Sequence, residues 1–385
     1  MDDVKTSADS IEKEQEVFIT DINIRKVRHL ENIHIPLSKD QRKHLILTGK
    51  NGSGKTSVLE SFKKDIRERS ILRIGKSPED RVKEVSLKFN DDEKFEEYCG
   101  TRHILVSFYP ARRHVDMTIP TGLNRINWKE HDPINEYPGK EFIQYIVNLK
   151  AEKSFAKDDK DYDSVKNIEL WFEMFENTLK EIFEDPTLRL EFDRKNYNFK
   201  ILQKNKEPFD FNTLADGYSA IFNVVTDLIL RMEKHKTTTY DVQGIVLIDE
   251  LETHLHIDLQ KKVFPFLTRF FPRIQFIVTT HSPFILNSVA NAVIYDLENH
   301  ILVDDLSGYS YDGIVESYFD NDKYSDIIKN KLEKYEQLVN QAVRTEEEEA
   351  LMIELRRDLK DIPRSLAPEL KLKFQQIELD RLSKR

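Results

Sequence analysis

At 385 residues the sequence is longer than one typical domain, and its 39% hydrophobic content is enough to bury a core. A formal net charge of −10 excludes a chain that is basic throughout, although it leaves room for a local basic groove. The single cysteine, Cys99, excludes an intrachain disulfide, and no apolar run reaches the ~18 residues of a membrane-spanning helix, so a cytoplasmic protein with no membrane partner is expected.

Residues 1–15 are polar and acidic, without an apolar signal core, and are expected to be disordered. Between residues 17 and 37 apolar and polar residues alternate, which predicts two strands joined near Arg25-Lys26-Val27-Arg28. The basic residues there either touch a base or ribose or are solvated. The apolar run Leu45-Ile46-Leu47 then leads into Gly49-Lys50-Asn51-Gly52-Ser53-Gly54-Lys55-Thr56, followed by a helix-forming stretch over residues 57–66. This is the G-x-x-x-x-G-K-[ST] spacing in the strand–loop–helix setting it requires. The glycines let backbone N–H groups of residues 49–57, Ser57 included, turn inward around a polyphosphate at a helix start. Lys55 can reach the terminal phosphates, and the Thr56 hydroxyl can ligand Mg²⁺.

Residues 85–89 and 104–108 read as strands, the second ending in Tyr109-Pro110-Ala111-Arg112-Arg113. Paired arginines there either place cations where ligands bind to an α/β sheet or close a surface turn. Residues 114–138 read as a loop insert. Residues 142–149 and 165–183 read as helices, the second with Ile168, Trp171, Phe172, Phe175, Leu179 and Phe183 at helical spacing, a stripe expected in the core. A hairpin is expected over 188–192 and 197–202. Leu214-Ala215-Asp216-Gly217-Tyr218-Ser219 then precedes an apolar helix over 220–232, which makes Asp216 and Gly217 candidate anion-binding residues at a helix start.

Gly244-Ile245-Val246-Leu247-Ile248-Asp249-Glu250 reads as a buried parallel strand with two carboxylates at its C-terminal end, where ligands lie in such sheets. Asp249 can hold Mg²⁺, and Glu250 can orient or deprotonate water. The neighbouring Leu251-Glu252-Thr253-His254-Leu255-His256 lacks the H-E-x-x-H spacing of a zinc site. Residues 274–278 form another buried strand, ending in Thr279-Thr280-His281-Ser282-Pro283, and His281 is a candidate γ-phosphate contact. One more strand is expected at 292–295, and residues 297–317 read as polar turns. From residue 321 the pattern is helical. Ile328, Leu332, Tyr335, Leu338 and Ala342 form one stripe, and Leu351, Leu355 and Leu359 form another.

Together these motifs resemble the nucleotide-binding head of ABC-type ATPases, in the branch of SMC, RecF and OLD-like proteins. The resemblance covers most of residues 17–300. It implies an α/β P-loop NTPase, a mixed sheet with flanking helices, carrying an inserted helical region and a helical C-terminal tail. The expected division is a disordered 1–15, ATPase lobes at 16–113 and 186–317, an insert at 114–185 and the helical region 318–385. It further implies ATP and Mg²⁺, catalytic roles for Glu250, His281 and Lys55, and a signature motif at residues 214–218. There the family pattern has Ser where this chain has Ala215, leaving Ser219 as the substitute hydroxyl. Two heads would sandwich two ATP molecules, giving a homodimer or higher oligomer.

The compact head with a short helical C-terminal tail resembles the stand-alone OLD-like ATPases, among them those of anti-phage systems of the Septu and retron type, and the tail from Tyr311-Asp312-Gly313-Ile314-Val315 onward also resembles those proteins. Such ATPases work with a separately encoded nuclease or toxin. The acids after His281 (Glu298, Asp304 and Asp305) make no nuclease set. A RecF-like DNA-repair ATPase, binding nucleic acid through Lys63, Lys64, Arg67, Arg112 and Arg113, and an ATP-bound scaffold with little turnover stay open as alternatives.

Overall fold

A computed structural model describes residues 15–71, 84–101, 103–113, 116–126, 134, 137–233, 242–311, 313–314, 326–341, 343–360 and 368–383. The N-terminal segment expected to be disordered lies outside these residues except for residue 15, as do parts of the 114–138 insert, Asp312, Val315 and Ala342.

In chain order the strands are β1 (Ile19–Val27), β2 (Leu30–Pro36), β3 (His44–Thr48), β4 (Val85–Phe89), β5 (Leu105–Tyr109), β6 (Arg189–Asp193), β7 (Asn198–Leu202), β8 (Gly244–Ile248), β9 (Ile274–Thr279), β10 (Ala292–Asp296) and β11 (Ile301–Val303). The helices are α1 (Lys55–Ile71), α2 (Asp92–Thr101), α3 (Phe142–Asp158), α4 (Tyr162–Ile182), α5 (Asp216–Glu233), α6 (Ile257–Phe270), α7 (Pro283–Leu286), α8 (Asp326–Asn340), α9 (Glu346–Lys360) and α10 (Pro368–Ser383). The chain divides into two units, residues 1–308 and residues 309–385.

Six strands of the first unit form one sheet in the order β11-β10-β3-β9-β8-β5. It is parallel except for the β10–β11 pair. Strands β3, β8, β9 and β10 are buried at every position, as expected of strands covered on both faces, which read as unbroken apolar runs. A second, antiparallel sheet has the order β2-β1-β4. Val58, Leu59 and Phe62 of α1 share one apolar cluster with Ile22, Ile24 and Ile33 of this small sheet and with Leu45, Leu47, Ile245 and Ile277 of the large one. Alternation along each strand thus sends one set of side chains to α1. The opposite face of β9 takes Phe264 of α6 against Phe276.

Two buried glutamines also join the sheets. Gln275 of β9 accepts from the Ile19 amide at 2.7 Å and donates to the carbonyls of Ile19 and Lys43. Gln243 accepts from the Val17 amide at 2.9 Å. These side-chain amides give the Val17 and Ile19 N–H groups, around the start of β1, their acceptors.

Ile168, Trp171, Phe175 and Leu179 of the stripe on α4 are core, as their spacing predicts, while Phe172 and Phe183, the latter just past the helix, are half-buried. Trp171 and Phe175 pack on Phe142 of α3 and, through Phe175, on Phe211, while Phe172 stacks on Phe199 of β7. Helix α5 begins at Asp216, four residues before the stretch that periodicity predicts. Helices α2, α6 and α7 are not predicted by the sequence, and β11 corrects the expectation of polar turns over 297–317, because residues 301–303 pair with β10. In the second unit α8, α9 and α10 share a core of their own, including Leu332, Tyr335, Leu338, Met352, Leu355, Leu359, Phe374 and Ile377.

Candidate nucleotide-binding site

Strand order builds the site. β9 lies between β3 and β8, so the loop after β3, the acids after β8 and the residues after β9 leave the sheet side by side at one edge. In the loop Gly49, Gly52 and Gly54 have φ values of 134°, 87° and 98°. L side chains avoid this region. A Cβ at Gly49 would also approach Ser53 Oγ at 2.8 Å, and one at Gly54 would approach Leu30 Cδ1 at 2.9 Å. The loop therefore curls as tightly as it does because these positions carry no side chain. Lys55 is buried, and its ammonium donates to the carbonyls of Gly49 and Lys50 at 2.8 and 3.1 Å. Burial pulls this ammonium below its ordinary range, while Glu250, Glu252, Asp249 and Asp296 push it back up. The Ser53 hydroxyl is buried with no partner among the described residues. A curled loop, a helix start, an inward lysine and an orphaned hydroxyl fit a polyphosphate. Asn51 is exposed at the loop tip, and Ser57 lies half-buried in the first turn of α1.

The acids meet this loop directly. Thr56 Oγ1 donates to Asp249 Oδ2 at 2.9 Å. The other carboxylate oxygen accepts from the Thr279 hydroxyl at 2.6 Å, and Thr279 in turn accepts from the Glu250 amide at 2.7 Å. Thr56 and Asp249 are the residues that would hold Mg²⁺, a hard cation suited to oxygen ligands. Glu250 follows the strand with a φ of 46°, in the left-handed region, and Thr253 donates to its carboxylate at 3.2 Å. The backbone N–H of His281 donates to Glu252. Burial and the Lys55 charge hold the His281 imidazole below its ordinary value, against the pull of Glu252, Glu250 and Asp249. His281 is thus neutral near pH 7 and has a ring nitrogen able to accept.

Arg112 and Arg113 part company. Arg113 turns inward, 6% exposed, and donates to the carbonyls of Asp249, Glu250 and Leu251 at 2.7, 2.8 and 3.1 Å. Of the two alternatives for this pair, ligand-facing cations or a surface turn, neither describes Arg113: the carbonyls at the end of β8 need a donor, and Arg113 supplies it. Arg112 is exposed. Among the other basic residues named for nucleic acid, Lys63 lies 4.2 Å from the Phe108 ring centroid and Lys64 pairs with Glu84. Gly217 packs against the turn after Glu250: a Cβ there would come within 2.8 Å of the His254 carbonyl oxygen. Asp216 and Ala215 are exposed, and Ser219 is buried.

A family model described as "AAA domain, putative AbiEii toxin, Type IV TA system" matches residues 65–287, more than half of the chain. The chain belongs to this AAA family. The match contains Arg113, the start of α5, Asp249, Glu250 and His281, and the phosphate loop lies just upstream of it. Among curated proteins, Septu protein PtuA of Bacillus mycoides is 24% identical over 300 residues, covering 71% of this chain and 39% of its own length. The retron Ec83 probable ATPase of Escherichia coli is 35% identical over 102 residues, covering 26% of this chain and 19% of its own. Septu PtuA of Bacillus thuringiensis is 23% identical, covering 64% of this chain and 67% of its own. The chain therefore spans less than half the length of the first two relatives. Relatives of the Septu and retron kind are those the sequence resemblance names. Among solved structures, the SMC head domain from Thermotoga maritima aligns over 72% of this chain and 94% of its own at 13% identity, with a TM-score of 0.38.

Three residues of this AAA site escape a motif reading. Thr279 bridges the two acids, and its only signal is a hydroxyl at the end of a buried strand. Glu252 receives His281, and its second oxygen is buried without a partner among the described residues. The inward turn of Arg113 has no signal in sequence, because adjacent arginines look alike there. Among the described residues no helix is long and apolar enough to cross a membrane.

Proposed function

We propose that this chain binds Mg²⁺-ATP and hydrolyses it. The observation that carries the reading is the Thr56–Asp249 hydrogen bond of 2.9 Å, which joins the phosphate loop to the acid pair with Lys55 buried beside them. In this mechanism the amides of the loop and the Lys55 ammonium hold the β- and γ-phosphates. Thr56 and Asp249 would hold Mg²⁺, which would supply positive charge beside the phosphates. Glu250 orients the attacking water and accepts its proton, and neutral His281 contacts the γ-phosphate. Asp216 and Gly217 would meet a nucleotide held by a second copy of the chain, so that two heads close on two ATP molecules. Phosphate release by the purified protein, against Lys55→Ala, tests this. Turnover in the first and loss of both turnover and ATP binding in the second are expected. Turnover at the solution background would leave the ATP-bound scaffold.

The Septu and retron relatives support a second step. Nucleotide-driven pairing of the heads regulates a separately encoded nuclease or toxin in anti-phage defence. Co-purification with the product of the adjacent reading frame, with and without ATP, tests it. Failure to bind in either state would end this reading while leaving the ATPase intact.

A further inference from the structure

We infer that Arg113 is a positioning residue for Glu250: it fixes the main chain of residues 249–251, and Asn223 of α5 fixes Arg113 in turn. The inference rests on the ATPase reading of the site.

A guanidinium presents its N–H groups in a rigid planar fork, which suits several fixed acceptors at once. Here that fork is used on one turn. One terminal nitrogen donates to the Asp249 carbonyl at 2.7 Å and to Pro110 at 3.3 Å. The other reaches Glu250 at 2.8 Å and Leu251 at 3.1 Å. These are the residues through which the chain leaves β8 and takes the left-handed conformation of Glu250, with φ at 46°. A non-glycine residue keeps that conformation only where its surroundings hold it. Threonine 279 holds the turn from the amide side and Arg113 from the carbonyl side. Burial pulls the Arg113 guanidinium down to about 10, while Glu252, Asp249 and Glu250 push it up, so it stays charged at neutral pH.

The far side of Arg113 is fixed as well. Its own carbonyl accepts from the Asn223 side chain. One helical turn along α5, Asp227 accepts from the Tyr109 hydroxyl at 2.6 Å, from the Gly139 amide at 3.1 Å and from Arg231 at 2.7 Å. Residues 109–113 are thus spliced between α5 and the acidic turn. A small error in the direction of the general base lowers turnover much more than it lowers nucleotide binding, because binding depends on the loop at residues 49–56.

The test compares Arg113→Lys and Asn223→Ala with the unaltered full chain. It measures kcat for phosphate release, affinity for a fluorescent ATP analogue with Mg²⁺, and amide hydrogen exchange. A lysine cannot span three carbonyls, so kcat is expected to fall about 10-fold or more in Arg113→Lys, with affinity within about 3-fold of the original. Asn223→Ala, which leaves the guanidinium in place, is expected to show the same split at about 3- to 10-fold. In both, amides of residues 250–255 should exchange faster while those of β9 stay protected. The proposal is overturned if kcat stays within about 2-fold in both variants, or if affinity and β9 protection collapse along with kcat. Should the unaltered chain show no turnover, the ATPase reading falls on its own, and unchanged exchange at residues 250–255 would then overturn the anchoring itself.

Discussion

The turn at residues 249–254 and the start of α5 at residues 215–217 touch where Gly217 meets the His254 carbonyl, yet they are built in opposite ways. In the turn, Thr56 and Thr279 engage the Asp249 carboxylate, Thr279 the Glu250 amide, and Arg113 three successive carbonyls. At the start of α5, Ala215 and Asp216 are exposed, and the first turn is closed by the Ser219 amide on the Ala215 carbonyl. The turn is organised around its own chain. The helix start leaves Asp216 facing solvent while Ser219 is buried.

The largest effect should come from Glu250, the general base proposed above. Glu250→Gln is expected to slow phosphate release by at least about 10²-fold while ATP binding, read by equilibrium fluorescence, is kept. Undiminished release would remove Glu250 from its role. Next, Thr279→Val keeps the shape of the side chain but leaves Asp249 and the Glu250 amide each short of a partner. Urea denaturation should show a loss of about 2–4 kcal/mol, against about 0.5 kcal/mol or less for Asp216→Ala at the helix start. Equal losses would erase the contrast.

Acid should weaken the sheet behind the turn. His44 on β3 is buried, accepts from the Phe276 amide at 3.1 Å, and is pulled down to about 3 by burial and by Arg42. Below pH 6.5 the unfolded chain therefore takes up a proton that the folded chain refuses. Stability is full above that value and falls as the pH drops from 6.5 towards 3. About 2 kcal/mol should go by pH 5, and His44→Gln should remove that part of the pH dependence. The smallest effect belongs to Ala215→Ser: stability within about 0.5 kcal/mol, and turnover unchanged or raised a few-fold, read by phosphate release. A loss above about 1 kcal/mol would mean that the helix start is packed after all.

The parallel strands were legible because β3, β8 and β9 are buried on both faces and therefore read as unbroken apolar runs. The phosphate loop was legible because its glycines, lysine and threonine are spaced by the chemistry they serve. What stayed hidden has physical reasons. Only Phe95 and Tyr98 of α2 are buried, too few for a period to show, and Pro265 interrupts the pattern of α6. Alternation in β1 and β2 predicts strands but does not say that they form a separate sheet with β4. Arg113 could not be told from Arg112, since the difference is made by carbonyls 136–138 residues further along the chain. Thr279, at the end of a strand, gave no sign of serving two acids that lie on its neighbour.

Strand β9 has six residues. Near its beginning Gln275 carries the small sheet, whose β1–β2 corner, with His29 and Leu30, leans over Gly54; its last residue, Thr279, carries Asp249 and Glu250. One short segment therefore works as a ruler, with the lip above the loop referenced to one end and the acids to the other. Lip and acids cannot slip past each other unless the ladder of that strand breaks.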